Sequence, residues 1–225
     1  MSMQYWPDTE KPREKLLEKG PKYLSIAELL AILLRNGTQG QSALALARQL
    51  LNHFGDLKQL MTATEQECCS IKGLGPAKYV QLQAALELNR RYLMQNLQNQ
   101  QQTLTNSADT KAYLLSQLGH LPQEVFGCLF LNQQHQVICF KELFTGSVNQ
   151  AQIYPREVVK AALLNNATSV IISHNHPSGY LKPSQADIQI TQQLNQALDL
   201  MDIDLLDHII VTHQASYSLA EHGQL

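Results

Sequence analysis

Ser173-His174-Asn175-His176-Pro177-Ser178-Gly179-Tyr180-Leu181-Lys182-Pro183-Ser184-Gln185-Ala186-Asp187 is the stretch that decides how the C-terminal half of this chain is built. Just before it, Ser169–Ser173 (SVIIS) is short, apolar and β-branched, the pattern of a buried strand. Side chains two residues apart on a strand share a face, so His174 and His176 can turn their imidazoles to one point. Pro177 and Gly179 then force the chain out of the sheet. A helix is predicted over Pro183–Met201, with Ala186, Ile190, Leu194, Ala197, Leu198 and Met201 on one face. It returns Asp187 to the same point in its first turn. Two imidazoles and one carboxylate give zinc three protein ligands and leave a fourth position for water, whose pKa falls to about 7 there. The expectation is one zinc per chain on His174, His176 and Asp187. Taken separately, these residues have simpler readings. A His-x-His pair alone usually means nothing, and Ser184 with Asp187 is an ordinary S-x-x-D helix start. The strand–turn–helix context, which aims all three groups together, favours the metal.

Moving outward, elements alternate through the C-terminal half. Lys111–Leu118 reads as a helix. Glu124–Leu131 and Gln136–Phe144 read as strands joined by the polar turn Asn132–His135. Pro155 opens a helix to about Asn165. Asp204–Thr212 is another strand, and Ser216–Leu219 a short last one. Strands and helices so mixed imply an α/β layer arrangement around one mixed sheet. The N-terminal half is helical in pattern. Ser25 with Glu28 is a capping box before an apolar run that stops near Gly37, and Gln41–Phe54 carries Leu44, Ala47, Leu50 and Leu51 at helical spacing. Leu57–Thr62 is a short helix, and a long one follows Ile71–Lys78 through Arg91. The stretch from Gln95 to Asp109 is Gln/Asn-rich with little apolar content, so the division expected is a helical domain over 1–94, a linker over 95–102 and a mixed-sheet domain over 103–225. The first turns of the linker can also continue the preceding helix.

Composition narrows the class. The 225 residues are 44% hydrophobic, enough for packed cores, and no apolar run approaches the roughly 18 residues a spanning helix needs. Met1–Glu10 lacks the apolar core of a secretory signal, and a cytoplasmic, non-membrane protein is expected. The four cysteines form no C-x-x-C pair, which argues against a thiolate zinc cluster. Cys128 and Cys139 could face each other across the hairpin, as buried thiols. The net charge of −2 is uneven: residues 1–102 carry +3 and residues 103–225 carry −5. That permits nucleic-acid binding by the N-terminal half without requiring it.

His174-x-His176, seven residues, Ser184, two residues and Asp187 resemble the H-x-H-x7-S-x2-D signature of the JAMM (MPN-domain) metalloproteases. The fuller text His-Asn-His-Pro-Ser-Gly resembles the RadC family of bacterial proteins, long labelled DNA repair proteins. Pro155-Arg156-Glu157-Val158, Leu206-Asp207-His208-Ile209-Ile210-Val211, Tyr217-Ser218, Arg13-Glu14-Lys15-Leu16 and Ala27-Glu28-Leu29-Leu30-Ala31 extend the likeness over nearly the whole chain. The resemblance implies a cytidine-deaminase-like JAMM/MPN domain. It also implies an upstream glutamate that takes a proton from the attacking water and hands it to the leaving amine. Glu124 matches that position. Glu157 competes for the role, although a carboxylate serving a helix N-terminus explains Glu157 adequately. Ser184 is implied as a hydrogen-bond donor to the oxyanion rather than a nucleophile. JAMM deubiquitinating enzymes usually carry Ser or Thr between the histidines, and Asn175 departs from that, so a ubiquitin-like substrate is not implied. Asp207 and His208, on a short apolar strand, are expected near the site, but His208 reads as a satisfied core histidine and is left out of the metal set.

Ile71-Lys72-Gly73-Leu74-Gly75-Pro76-Ala77-Lys78 resembles a helix-hairpin-helix motif. Gly73 and Gly75 would let the backbone approach a phosphate, with Lys72, Lys78, Arg90 and Arg91 adding contacts, so that DNA is bound without sequence preference. A tight turn whose glycines serve packing, or a protein-docking unit, are the other readings. Three functions therefore compete: a zinc-dependent hydrolase of peptide or isopeptide bonds, a DNA-binding repair or recombination factor whose metal domain is a scaffold, and a metal-dependent nuclease. The last is weakest, because two-metal nucleases need more clustered carboxylates than this site offers.

Overall fold

The capping box read at Ser25 forms. In the computed structural model, which describes residues 11–99, 107–146 and 153–225, Ser25 Oγ accepts the Glu28 N–H and the Glu28 carboxylate accepts the Ser25 N–H. Before it lies α1 (Pro12–Lys19), and after it α2 (Ile26–Leu34). Lys15 of α1 reaches Glu28 at 2.8 Å. The α2 helix stops short of Gly37, because Arg35 turns to φ 63°. Ser42 then caps α3 (Ala43–Phe54), which buries Ala43, Leu44, Leu46, Ala47 and Leu50. Asp56 and Thr64 cap the short α4 (Leu57–Thr62) and α5 (Glu65–Cys69). The core of this part is leucine-rich, with Leu30, Leu34, Leu46, Leu50, Leu60, Leu74 and Leu82 together. The sequence reading contained neither α1 nor α5. Each buries a single residue, Pro12 or Cys68, so neither carries an apolar face to read.

Two compact units meet at Asn89/Arg90, and the long α6 (Pro76–Asn99) runs across that boundary. Gln95–Asn99 is thus helical rather than linker-like, and the rest of the expected linker, 100–102, lies outside the described residues. Leu97 explains the difference. It is buried, and with Leu93 and Met94 it joins a core cluster of the second unit, which fixes a polar segment that could not fix itself.

The second unit comprises α7 (Ser107–Leu118), β1 (Val125–Leu131), β2 (Val137–Thr145), α8 (Pro155–Leu164), β3 (Ser169–Asn175), α9 (Gln185–Asp199), β4 (Asp204–Val211) and β5 (Ser216–Ser218). The sheet order is β2-β1-β3-β4-β5, with β3 and β4 parallel and the other neighbours antiparallel. The fold is α/β, as read. Alternation along β3 divides the core. Val170 and Ile172 join Val158 and Ala162 of α8 and Leu194 and Leu198 of α9. Ile171 joins Tyr113, Leu114 and Leu118 of α7 on the other face. Continued one step at a time, the alternation puts His174 toward α8 and α9 and Asn175 toward α7. The cysteines do not face each other: Cys128 pairs with Lys141 and Cys139 with Phe130 in the β1–β2 ladder. The turn is one residue longer than read, with Leu131 opposite Val137, and a register shift between Phe130 and Leu131 moves the partners one residue further. Among the described residues no helix is long and apolar enough to cross a membrane.

Lys15 and the Ser25 backbone hold the Glu28 carboxyl down at about 2, against an ordinary 4.5. A carboxylate depressed on folding contributes stability that is complete above its unfolded pKa and is lost as pH falls through the folded one. Stability should therefore decline between about pH 4.5 and 2 through this group. Glu28→Gln should cost roughly 1 kcal/mol at neutral pH and flatten the acid limb, measured by urea unfolding across that range.

Candidate metal centre

Four consecutive polar residues close β3 and the turn after it, and each is held by a different element. Ser173 Oγ donates to the Ile209 carbonyl at 2.6 Å. His174 Nδ1 lies 2.8 Å from His208 Nε2 on β4. The Asn175 amide faces the other way: its Oδ1 accepts the Val125 N–H at 2.7 Å, and its Nδ2 donates to the carbonyls of Gln123 (2.9 Å) and Leu121 (3.2 Å). His176 is pinned by its own N–H on the Val211 carbonyl and by Nδ1, 2.6 Å from the Tyr180 carbonyl. That carbonyl can only accept, so His176 Nδ1 carries the proton and Nε2 is bare. Gly179, at φ 81°, shapes the turn, and a Cβ there would sit 3.0 Å from the His213 ring.

Ser184 begins α9 and brings Asp187 back. Its N–H and hydroxyl both donate to Asp187 Oδ2 at 2.7 Å, while Asp187 N–H donates to Ser184 Oγ. Asp187 is buried, with Oδ1 3.2 Å from His174 Nε2 and Oδ2 3.6 Å from His176 Nε2. The two Nε2 atoms are 2.8 Å apart. Glu124, at the head of β1, places Oε1 4.0 Å from His176 Nε2, and ligand atoms of Glu124, His174 and His176 lie within 4.8 Å of one another. The structure thus brings His174, His176, Asp187, Ser184 and Glu124 together. Glu157 stands in the first turn of α8, against Arg156 (3.3 Å) and Lys160 (3.9 Å). The hydroxyl of Ser184, read as an oxyanion donor, gives its proton to Asp187 here.

Donor counting shows what this pocket accepts. Asp187 Oδ1 is fully buried and, among the described residues, receives no hydrogen bond. Carboxylate oxygens and imidazole nitrogens converge here, a donor set that a cation would satisfy. The titration behaviour agrees. Burial pushes the Asp187 carboxyl up, but His174, His176 and Ser184 outweigh it and hold Asp187 far below the usual carboxylate range. Burial works to lower His176, yet Asp187 and the Tyr180 carbonyl prevail and its pKa rises. His174 and His176 with a carboxylate beside them are groups that could hold a metal ion.

Two residues of the site were not legible as such. Asn175 reads only as a departure from a pattern; His208 reads as near the site, and its contact with His174 bears that out, but its role there is not visible in the sequence. A fully buried histidine in an apolar strand must have a partner, and that was the available signal. In the N-terminal unit, Lys72 is exposed and Gly75 has open space where a side chain would begin. Gly73 has φ 101°, and a Cβ there would strike Thr38 at 2.3 Å. Lys78 does not extend outward: its ammonium binds the carbonyls of Gly73 (2.8 Å) and Gly37 (3.3 Å) and closes the hairpin on itself.

A strand-borne His-x-His with a carboxylate from the first turn of the following helix, on a mixed five-stranded sheet, defines a JAB-type metal domain. Residues 104–224 match the family described as the RadC-like JAB domain, and residues 3–80 match the UPF0758 N-terminal family. A UPF0758 protein of Marinomonas sp. (strain MWYL1) is 54% identical over 224 residues, 99% of each chain. One from Shewanella denitrificans is 52% identical and one from Ralstonia nicotianae 50% identical, each over 100% of both chains. The chain belongs to the UPF0758 family, that is, the RadC family.

Removing the Asn175 amide strands one buried N–H and two carbonyls. Asn175→Ala should destabilise the protein by about 2–4 kcal/mol in urea unfolding. Asn175→Asp, of the same shape, should cost at least as much, since it sets a carboxylate against two carbonyl oxygens.

Proposed function

We propose that this chain is a zinc-dependent hydrolase acting on a peptide or isopeptide bond, with His174, His176 and Asp187 as the metal ligands. The observation that carries the reading is the orphaned Asp187 Oδ1, buried 3.2 Å from His174 Nε2, with His176 Nε2 2.8 Å from that nitrogen. Zinc held there would lower the pKa of water to about 7 and polarise the scissile carbonyl. Glu124 stands where the attacking water's proton must go. Its carboxylate takes that proton and passes it to the leaving amine. The hydrogen bonds from Asn175 to residues 121, 123 and 125 hold the segment that carries Glu124 in place. Ser184 can turn its hydroxyl to a developing oxyanion and still keep its N–H on Asp187 Oδ2. The substrate is a peptide or protein.

The purified protein should contain about one zinc per chain, and His174→Ala and Asp187→Ala should lose it, measured by elemental analysis. Glu124→Gln should keep its zinc and lose about a hundredfold or more of any hydrolysis found in a peptide-library screen. Hydrolysis undiminished in Glu124→Gln, with zinc retained, would leave the metal as a scaffold and sink the hydrolase reading.

A further inference from the structure

A line of hydrogen bonds crosses the buried interior between α9 and His174. Thr191 Oγ1 lies 2.6 Å from the main-chain carbonyl of Asp187, one turn earlier on α9. His208 Nδ1 lies 2.6 Å from the same hydroxyl, and His208 Nε2 lies 2.8 Å from His174 Nδ1. Thr191, His208 and His174 are each at most 1% exposed, so water does not substitute for any partner.

The protons along this line have one consistent assignment. A peptide carbonyl only accepts, so the single Thr191 proton points to Asp187 O. The Thr191 oxygen can then only accept, and His208 must carry its proton on Nδ1. A neutral imidazole has one N–H, so His208 Nε2 is a lone pair, and the 2.8 Å contact requires the proton on His174 Nδ1. The same rule leaves His174 Nε2 bare, and that is the atom facing Asp187 Oδ1 and His176 Nε2. His208 is thereby excluded as a ligand itself, because its inward nitrogen is spent on the far side of the His174 ring. The neighbouring His176 obtains the same tautomer from a carbonyl, that of Tyr180.

We propose that His208 and Thr191 are positioning residues of the metal centre, fixing the tautomer and ring orientation of His174 so that its Nε2 is presented to the cation. The proposal rests on the reading of His174 as a ligand. The relay starts on the main chain of Asp187 and ends on His174, so it ties two of the three ligands to each other through α9 and β4. Outer hydrogen bonds of this kind typically carry 10–100-fold in metal affinity.

The test uses the full-length protein, stripped of metal and labelled with ¹⁵N-histidine. Two-bond nitrogen–proton spectra should show His174 and His208 both protonated on Nδ1 and bare on Nε2. Zinc competition against a chelator then reads the affinity. His208→Phe keeps the bulk and removes the acceptor, and should weaken zinc by about 10–100-fold. His208→Gln can accept from His174 and donate to Thr191, and should restore affinity to within about threefold. Thr191→Val, nearly isosteric, should weaken zinc by about tenfold and mix the two tautomers of His208. Should His208→Phe fail to fold, the native spectrum and Thr191→Val still decide. His174 found protonated on Nε2 in the native protein, or His208→Phe and His208→Gln equally weak, overturns the relay. Native protein with the stated tautomers but no affinity for zinc upholds the relay and overturns the metal reading instead.

Discussion

A strand buried on both faces cannot end in polar side chains unless each one finds a partner, and β3 ends in Ser173, His174 and Asn175, with His176 following at once. The rest of the second unit is arranged around that requirement. Serine takes a carbonyl of β4, His174 takes an imidazole of β4, asparagine takes the backbone ahead of β1, and His176 takes the carbonyl of its own turn. Oδ1 of Asp187 is left without a partner among the described residues of this pocket, and the Nε2 atoms of the two histidines meet beside it.

The metal constellation was legible because it rests on short-range rules: alternation along a strand, a Pro/Gly exit, and a capping box that fixes the first turn of a helix. Ser184 and Asp187 serve both rules at once, since the contacts that start α9 also orient the carboxylate. The supporting groups were not legible, because their partners are distant in sequence. His174 and His208 are 34 residues apart, and Asn175 and Val125 are 50 apart. A register shift in the β3–β4 pairing, between Val170 and Ile171, puts His208 opposite Ile172, so simple strand counting would misplace it.

Elsewhere the misreadings have similar causes. The polar end of α6 is held by one buried leucine, which composition averages away. The cysteine pairing assumes a regular four-residue turn, and a turn one residue longer with one register shift after it displaces both partners. Lys78 had been counted by charge, whereas its half-buried position spends the ammonium on main-chain oxygens, and burial lowers its pKa. Net charge is a statement about side-chain identity, and the structure decides which charges face solvent.

The Asn175 clamp has an evolutionary corollary. Its three contacts go to peptide groups of Leu121, Gln123 and Val125, not to their side chains. Identity at 121 and 123 is therefore invisible to the amide that holds them, while identity at 175 is not. Substitutions can accumulate on one side of this interaction without compensation on the other, so pairwise covariation would miss a coupling that a single residue carries alone.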